Sequence, residues 1–451
     1  MNTILTIDIS NSKIVSTIAK NDITDKTEIL GVGIEKKVRG IEKGNITNLE
    51  AAASCIKKSV DAARSYAEDV EIDKVYATIS GSFTKNIKAV GTVNVPSNQI
   101  TEKEINVVMQ KALTNANIPA DYDLIHAIAL GFKVDENQNI ENPLNIIGSR
   151  LEVNINAIIA KKSYLNNLKT AVKHSGFDID VFVLNSYAST NAIAQTLDDD
   201  KKANGYLVID IGSTSTGFAI LKGKSIIFSD FLPIGSENIT KDLSIMLNTS
   251  KESAENVKQK YGTLLASSHT QDKIRFTKST EENVSIETSM EYIISIIHAR
   301  LEELFILIRE KIETKGLSHS FKSGIILTGG ACNTRGINEL CSKIFVGNVV
   351  RISSPQNLKN NFLNFEEPIY ASTVGLVKYA FEITNPYELD SRKMIRIKER
   401  KAYPKPQQHK EMPAQRVEPR PQPLSDTKII EKPKTKNGLF AQIKKIIEGH
   451  L

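Results

Sequence analysis

The sequence has few of the residues that build covalent cross-links and metal centres. Three cysteines, Cys55, Cys332 and Cys341, are odd in number and show no ligand spacing. That excludes a disulfide framework and points to a reducing compartment. Seven histidines are scattered without a paired-ligand pattern, so no zinc site is expected. No run approaches the roughly 18 apolar residues that cross a bilayer. The first residues lack a basic region, and Asp8 interrupts their apolar run, so they do not form a signal peptide. The expectation is a protein made and kept in the cytoplasm.

A net positive charge is also missing from most of the chain. Of 58 Lys+Arg and 52 Asp+Glu, 16 and 6 lie in residues 391–451, which leaves 42 against 46 for the rest. The body is mildly acidic, so nucleic acid is not an expected partner, and the basic excess calls for one specific to the tail. With 451 residues, 40% of them hydrophobic, the chain is too long for a single core.

What is present centres on Tyr206-Leu-Val-Ile-Asp-Ile-Gly-Ser-Thr-Ser-Thr-Gly-Phe-Ala-Ile-Leu221. An unbroken apolar strand belongs in the middle of a covered sheet. This one ends in Asp210 and turns through Gly212, Ser213 and Thr214. Small residues there let successive backbone N–H groups face one anion, and Asp210 can hold a magnesium ion through water. Thr3-Ile-Leu-Thr-Ile-Asp-Ile-Ser-Asn-Ser-Lys-Ile-Val15 repeats the pattern, with Asp8 matching Asp210 and Ser10, Asn11 and Ser12 matching the small residues. Two such hairpins facing each other would clamp a nucleoside triphosphate.

Between the hairpins the order is β-β-β-α-β up to Gly81, half of a doubly wound domain. A self-contained strand-helix-strand-strand module follows. Its strands cover 87–95, 124–134 and 150–160, and the capping box Thr101-Glu-Lys-Glu104 opens its helix. Ser163 caps a helix that Gly176 ends; a strand over 180–184, a helix over 186–197 and a solvated loop over 198–202 come next. Lys222-Gly-Lys-Ser225 is not a P-loop, because the first glycine would have to be Phe218. Gly235 lies where the second hairpin gives way to a helix, and Glu255 and Lys258 share one face of the next. A helix over 289–312 buries Ile293, Ile296, Ile297, Leu301, Leu304 and Ile308, with Arg300 off that stripe. Gly329 and Gly330 follow a buried strand and allow close backbone approach to a ligand. In the last helix, 371–381, Gly375 allows another helix to cross closely.

Residues 391–437 hold seven of the 14 prolines, a single aromatic residue (Tyr403) and most of the basic excess, the composition of a disordered linker. Beyond it Leu439, Phe440, Ile443, Ile446 and Ile447 fall on one helical face, with Lys444 and Lys445 at its edge and Leu451 at the end. So short a helix is marginal in water and folds on its target; anionic lipid suits the lysines, and docking on protein, either this body or a partner, is the competing reading.

Together these motifs resemble the actin, Hsp70 and sugar-kinase superfamily and, within it, the FtsA family of bacterial cell-division proteins. The resemblance covers residues 1–385 and the terminal helix; Asn142-Pro, Gly148, Arg150-Leu-Glu152 and the Glu255–Gly262 segment carry its family-specific part. It implies an α/β, actin-like ATPase fold: two lobes with ribonuclease-H-like cores around a nucleotide cleft, with an SHS2-type insert, subdomain 1C. Residues 1–82, 163–199 and 371–390 would form subdomain 1A, 83–162 subdomain 1C, 200–240 and 320–370 subdomain 2A, and 241–319 subdomain 2B. A disordered linker, 391–437, and an amphipathic membrane-targeting helix, 438–451, would complete the chain.

Carried over by position, Asp8 and Asp210 would flank Mg2+, and Ser10, Asn11, Ser12 and Lys13 with Gly212, Ser213 and Thr214 would hold the phosphates of ATP. Gly235 belongs to the same set, Glu255 and Lys258 would meet ribose and adenine, and Gly329 and Gly330 would line the nucleoside. Arg300 would touch the tail of the tubulin-like FtsZ. The implied role is a polymerising adaptor that anchors FtsZ filaments to anionic inner-membrane lipid and contacts other divisome proteins. Two departures stand out. Ser10 replaces the usual glycine of the first hairpin, and Asn185 stands where relatives place a glutamate or glutamine to orient water. An amide positions water but takes no proton, so the expectation is ATP binding with slow or negligible hydrolysis. Two other functions stay open: an ATP-dependent phosphotransferase of the sugar-kinase type, and a pilus-assembly or plasmid-segregation relative.

Overall fold

The computed structural model describes residues 3–21, 26–265, 273–277, 285–356, 358–385 and 387–396. These belong to one unit of the chain, Met1–Lys398. The terminal helix face, Leu439 to Leu451, lies outside the described residues, as does most of the linker.

The first strand, β1 (Thr3–Ile9), is buried along its whole length, and Ile4, Leu5, Ile7 and Ile9 are its apolar residues. It pairs antiparallel with β2 (Ile14–Asn21), which pairs with β3 (Thr27–Glu35). A short hairpin, β4 (Ile41–Glu42) and β5 (Asn45–Ile46), precedes α1 (Leu49–Arg64), whose cap Asn48 accepts from the Ala51 N–H. Then β6 (Lys74–Ile79) returns parallel to β1.

The insert holds β7 (Thr84–Asn94), α2 (Glu102–Asn115), β8 (Tyr122–Val134), β9 (Asn137–Ile140) and β10 (Arg150–Lys161). Thr101 and Glu104 form the expected capping box. The four-residue β9 was invisible in the pattern because none of Asn137-Gln-Asn139 is apolar. Lys161, not Ser163, is the cap of α3 (Lys162–Lys173), with no side-chain bond, so Ser163 lies inside the first turn. Next come β11 (Val181–Leu184), α4 (Asn185–Ala194) and α5 (Asp199–Lys202). The last is a helical turn capped by Asp198, where the sequence suggested a loop.

The second half repeats the first. β12 (Tyr206–Ile211), β13 (Thr216–Lys222) and β14 (Ser225–Leu232) form an antiparallel meander, followed by α6 (Ser236–Met246) and α7 (Lys251–Tyr261). The hairpin β15 (Lys273–Thr277) and β16 (Ser285–Ser289) leads to α8 (Met290–Thr314), which buries the expected stripe together with Phe305 and Ile312. β17 (Ile325–Thr328), α9 (Ile337–Ile344) and β18 (Val350–Ile352) complete this lobe. One sheet runs β11-β6-β1-β2-β3 and the other β18-β17-β12-β13-β14, the same order strand for strand. Asp8 and Asp210 therefore sit at equivalent points, each next to last in its strand.

The chain returns to the first lobe as α10 (Ala371–Phe381) and ends in β19 (Glu388–Leu389) and β20 (Ile395–Arg396). α10 crosses α4 closely: a Cβ at Gly375 would lie 1.8 Å from the Ala188 carbonyl oxygen. Two sequence expectations fail here. The insert is not self-contained, because β19 pairs with β8 and extends its sheet to β20-β19-β8-β10-β7. Residues 391–396, assigned to the linker, belong to that sheet and its connection. Glu388 explains why. At 1% exposure it accepts hydrogen bonds from Tyr187 (2.6 Å) and Tyr379 (2.7 Å), and lies 2.6 Å from His126 Nδ1. Arg396 lies over the Tyr379 ring at 3.5 Å and donates to the Glu382 carbonyl.

Candidate functional site

Each aspartate-ended strand turns into its partner through the same backbone bond. Ser10 N–H donates to the Lys13 carbonyl at 3.1 Å, and Gly212 N–H to the Ser215 carbonyl at 3.0 Å. Ser10 has no positive φ, so nothing in the backbone demands glycine there, and its hydroxyl folds back on the Lys13 carbonyl at 2.7 Å. Among the described residues, the N–H groups of Asn11, Ser12, Ser213 and Thr214 have no protein acceptor. Such unbonded N–H groups in a tight turn form an anion-binding concavity.

Both loops face one cavity of about 670 Å³. Its lining includes Asp8, Ser10, Asn11, Ser12, Lys13, Asn185, Asp210, Gly212, Ser213, Thr214, Glu255, Lys258, Gly329 and Gly330. Gly235 is not on the wall. It backs the second loop, where a Cβ would meet the Ser213 carbonyl oxygen at 2.4 Å, and so lets the N-terminus of α6 close on that loop. Glu237 N–H then donates to the Ser213 carbonyl at 2.7 Å. Asn11 lines the cavity, but its side chain is engaged elsewhere: the amide donates to the Ile41 carbonyl and accepts from the Gly44 N–H.

The two carboxylates differ in their surroundings. Asp8, 2% exposed, accepts from three hydroxyls: Thr78 at 3.0 Å, Ser372 at 2.7 Å and Thr373 at 2.6 Å. Asp210, 9% exposed, is pushed up to about 6 by burial first and then by Asp8, against the charge of Lys13. Burial in turn pushes Lys13 down to about 8, although both aspartates favour its charged form. The lysine donates to the Ile369 carbonyl at 2.8 Å and lies 3.9 Å over the Tyr370 ring.

On the far wall, Glu255 and Lys258 are paired at 2.7 Å, and Lys258 also donates to Thr240 and to the Ser236 carbonyl on α6. Burial would raise the Glu255 carboxyl, but hydrogen bonds from Lys258 and Thr240 hold it below its usual value. Gly329 has φ +89°, and a Cβ there would lie 2.4 Å from Asp210 Oδ1. Its neighbour Gly330 would meet only Ile369, at 3.5 Å. Asn185 opens α4 at the cavity floor.

Arg300 is elsewhere, on α8. Its guanidinium forms a two-pronged pair with Asp242 (2.6 and 3.0 Å) and also meets Glu303. Sequence reasoning missed Thr78, Ser372 and Thr373, which hold Asp8. The one available signal was the adjacent hydroxyls Ser372 and Thr373 at the head of an otherwise apolar helix.

Two like-ordered sheets, each presenting an aspartate-ended hairpin to one cavity, define the actin-like ATPase fold. Solved structures agree on the fold. The "PilM-PilN type IV pilus biogenesis complex" aligns with a TM-score of 0.61 at 18% identity, covering 84% of this chain and 99% of that one. MreB5 of Spiroplasma citri bound to AMPPNP aligns with a TM-score of 0.50 at 14% identity, covering 85% and 96%. The family model "Cell division protein FtsA" matches residues 207–375, and "SHS2 domain inserted in FTSA" matches residues 81–159. The cell division protein FtsA of Helicobacter pylori is 30% identical over 441 residues, 90% of this chain and 87% of that protein. FtsA of Escherichia coli is 25% identical over 383 residues, 83% and 90% respectively. The chain belongs to the FtsA family of cell division proteins.

Proposed function

We propose that this protein binds ATP with Mg2+ between its two aspartate-ended loops and acts as a polymerising adaptor that ties FtsZ filaments to the inner membrane. The observation that carries the reading is that Asp8 and Asp210, equivalent points of a repeated half, face the same cavity.

The residues fit the ligand. The cavity has the size of a small-molecule site, roughly 300–1,000 Å³. Four loop N–H groups without protein acceptors suit phosphate oxygens. A carboxylate offers about four lone-pair positions, and Asp8 has committed three to hydroxyls, so it would hold a hydrated Mg2+ through water. The bound ion supplies charge neutralisation at the phosphates. The chain's own residues do the rest: the loops and Lys13 bind phosphate, Glu255 and Lys258 meet ribose and adenine, and Gly329 and Gly330 line the nucleoside. Asn185 orients water without accepting its proton, which keeps turnover below about 1 per second.

The adaptor role combines family membership with the tail. Among the described residues no helix is long and apolar enough to cross a membrane. Residues 438–451 carry the apolar face and Lys444 and Lys445, which suit anionic lipid. One such helix binds weakly, and a polymer that presents many binds firmly. The FtsZ tail would dock on subdomain 2B, residues 241–319, with Arg300 as a contact, and other divisome proteins would join the assembly.

Co-sedimentation of the full chain with anionic liposomes, with and without ATP and an FtsZ tail peptide, tests the reading. A chain lacking residues 438–451 is expected to lose liposome binding and keep its ATP affinity. Liposome binding that survives the deletion overturns the anchor, and a full chain that takes up no ATP overturns the nucleotide site.

A further inference from the structure

Asp8 is not oriented by its own loop. Asp8 Oδ2 accepts from Ser372 and Thr373, adjacent residues in the first turn of α10. Its Oδ1 accepts from Thr78, whose oxygen is already bonded by the Ile9 N–H at 2.8 Å, so the Thr78 hydroxyl proton is directed at Asp8. Asp210, in the other lobe, lines the same cavity, and the Ser189 hydroxyl on α4 donates to the Ser186 carbonyl within its own helix.

The helix that supplies two of these hydroxyls, α10, is fixed against α4. Gly375 meets Ala188 so closely that no methyl group fits between them. Thr373 lies two residues before Gly375. The contact that fixes the helix pair is therefore within one turn of the hydroxyls that hold Asp8.

We propose that Ser372 and Thr373 are positioning residues for the cation site: α10, fixed where it crosses α4, aims Asp8 at a hydrated divalent ion in the cavity that Asp8 shares with Asp210. The inference rests on the nucleotide reading above and extends it to hydroxyls that act through Asp8. A hydroxyl serves because it donates one directed bond to a carboxylate without neutralising its charge. With three bonds on Asp8, its rotamer is set and one acceptor direction is left for an ion-bound water. The N-terminal end of α10 adds a favourable field for the same anion.

The alternative is that the hydroxyls merely satisfy a buried carboxylate. The two differ in what they predict for Mg2+. ATP affinity of the full chain is measured in saturating Mg2+ and in EDTA, for the wild type, the double variant Ser372→Ala/Thr373→Val and the conservative variant Thr373→Ser. The factor by which Mg2+ tightens ATP binding is expected to shrink about 10–100-fold in the double variant, with the EDTA affinity unchanged and the factor retained in Thr373→Ser. The single variant Ser372→Ala, at the half-buried cavity wall, is measured in parallel in case the double variant does not fold, and is expected to shrink the factor in the same direction. A wild-type Mg2+ factor in all folded variants overturns the proposal, as does an equal loss in EDTA and in Mg2+. A wild type that binds no ATP overturns the underlying nucleotide reading instead, so the two failures are distinguishable.

Discussion

His126 Nδ1 and Glu388 Oε1 lie 2.6 Å apart, both withdrawn from solvent, one on the insert's central strand and the other beyond the last helix of the first lobe. The Leu184 N–H donates to Nε2 of the same ring, so Nδ1 carries the proton that Glu388 accepts. Tyr187 and Tyr379 hydroxyls complete the carboxylate's shell. Glu388→Ala would leave these donors without an acceptor and Arg396 without its buried counter-charge. Breaking a buried pair costs about 3–5 kcal/mol, and urea denaturation of the variant is expected to show a loss of that size.

Acid acts on the same group. Burial opposes its ionisation, but His126 and Arg396 hold the Glu388 carboxyl below its usual value. A depressed folded value means that the stabilisation is complete above the unfolded value, near 4.3, and is lost as pH falls through the lower folded one. The thermal midpoint of the wild type should therefore drop below about pH 4 more steeply than that of Glu388→Gln. Parallel curves for the two proteins would remove Glu388 from the acid response.

Much of the site was legible because its signals are local. An apolar run ending in aspartate and small residues identified both hairpins, and a lone glycine in an apolar helix identified the Gly375 crossing. The hydroxyl partners of Asp8 were not legible, since Thr78, Ser372 and Thr373 come from a strand and a helix distant in the chain, and serine or threonine in such places carries no pattern. Glu388 was missed for the opposite reason: a charged residue suggests surface, and only its four partners make burial tolerable. Two-residue strands such as β19 and β20 are too short to show periodicity, so the linker boundary was drawn too early.

The two adjacent glycines of the third cavity wall should respond differently to one methyl group. Gly329→Ala places a Cβ 2.4 Å from Asp210 Oδ1 on a backbone at φ +89°, whereas Gly330→Ala meets only Ile369 at 3.5 Å. ATP titration is expected to show a loss of about tenfold or more, at least 1.4 kcal/mol, for the first and a smaller change for the second. Equal losses would mean that the approach of Gly329 to Asp210 does not govern binding.

A methyl at Gly375 tests the helix crossing itself. Its Cβ would lie 1.8 Å from the Ala188 carbonyl oxygen and 2.3 Å from the carbonyl carbon, both backbone atoms that cannot swing aside. Gly375→Ala must separate α4 from α10, and overpacking of this kind typically costs about 1–3 kcal/mol. Calorimetry should show a lowered midpoint despite alanine's better helix propensity, which favours the substitution by about 1 kcal/mol in an open helix. An unchanged or raised midpoint would show that the two helices part freely.

Where the folded body ends decides what a truncation removes. A chain cut after Asp390 loses β20 and Arg396, and with them the guanidinium lying over the Tyr379 ring and the bond to the Glu382 carbonyl. It also loses Ser391, whose hydroxyl accepts from the Phe182 N–H at 2.9 Å. A chain cut after Lys398 keeps all of these. If 391–396 were linker, the two cuts would unfold alike in urea. With Arg396 as the counter-charge of a buried glutamate, the shorter chain should be less stable by roughly 2–4 kcal/mol. Glu388→Gln in the shorter chain should recover part of that difference, because it removes the carboxylate that Arg396 no longer compensates.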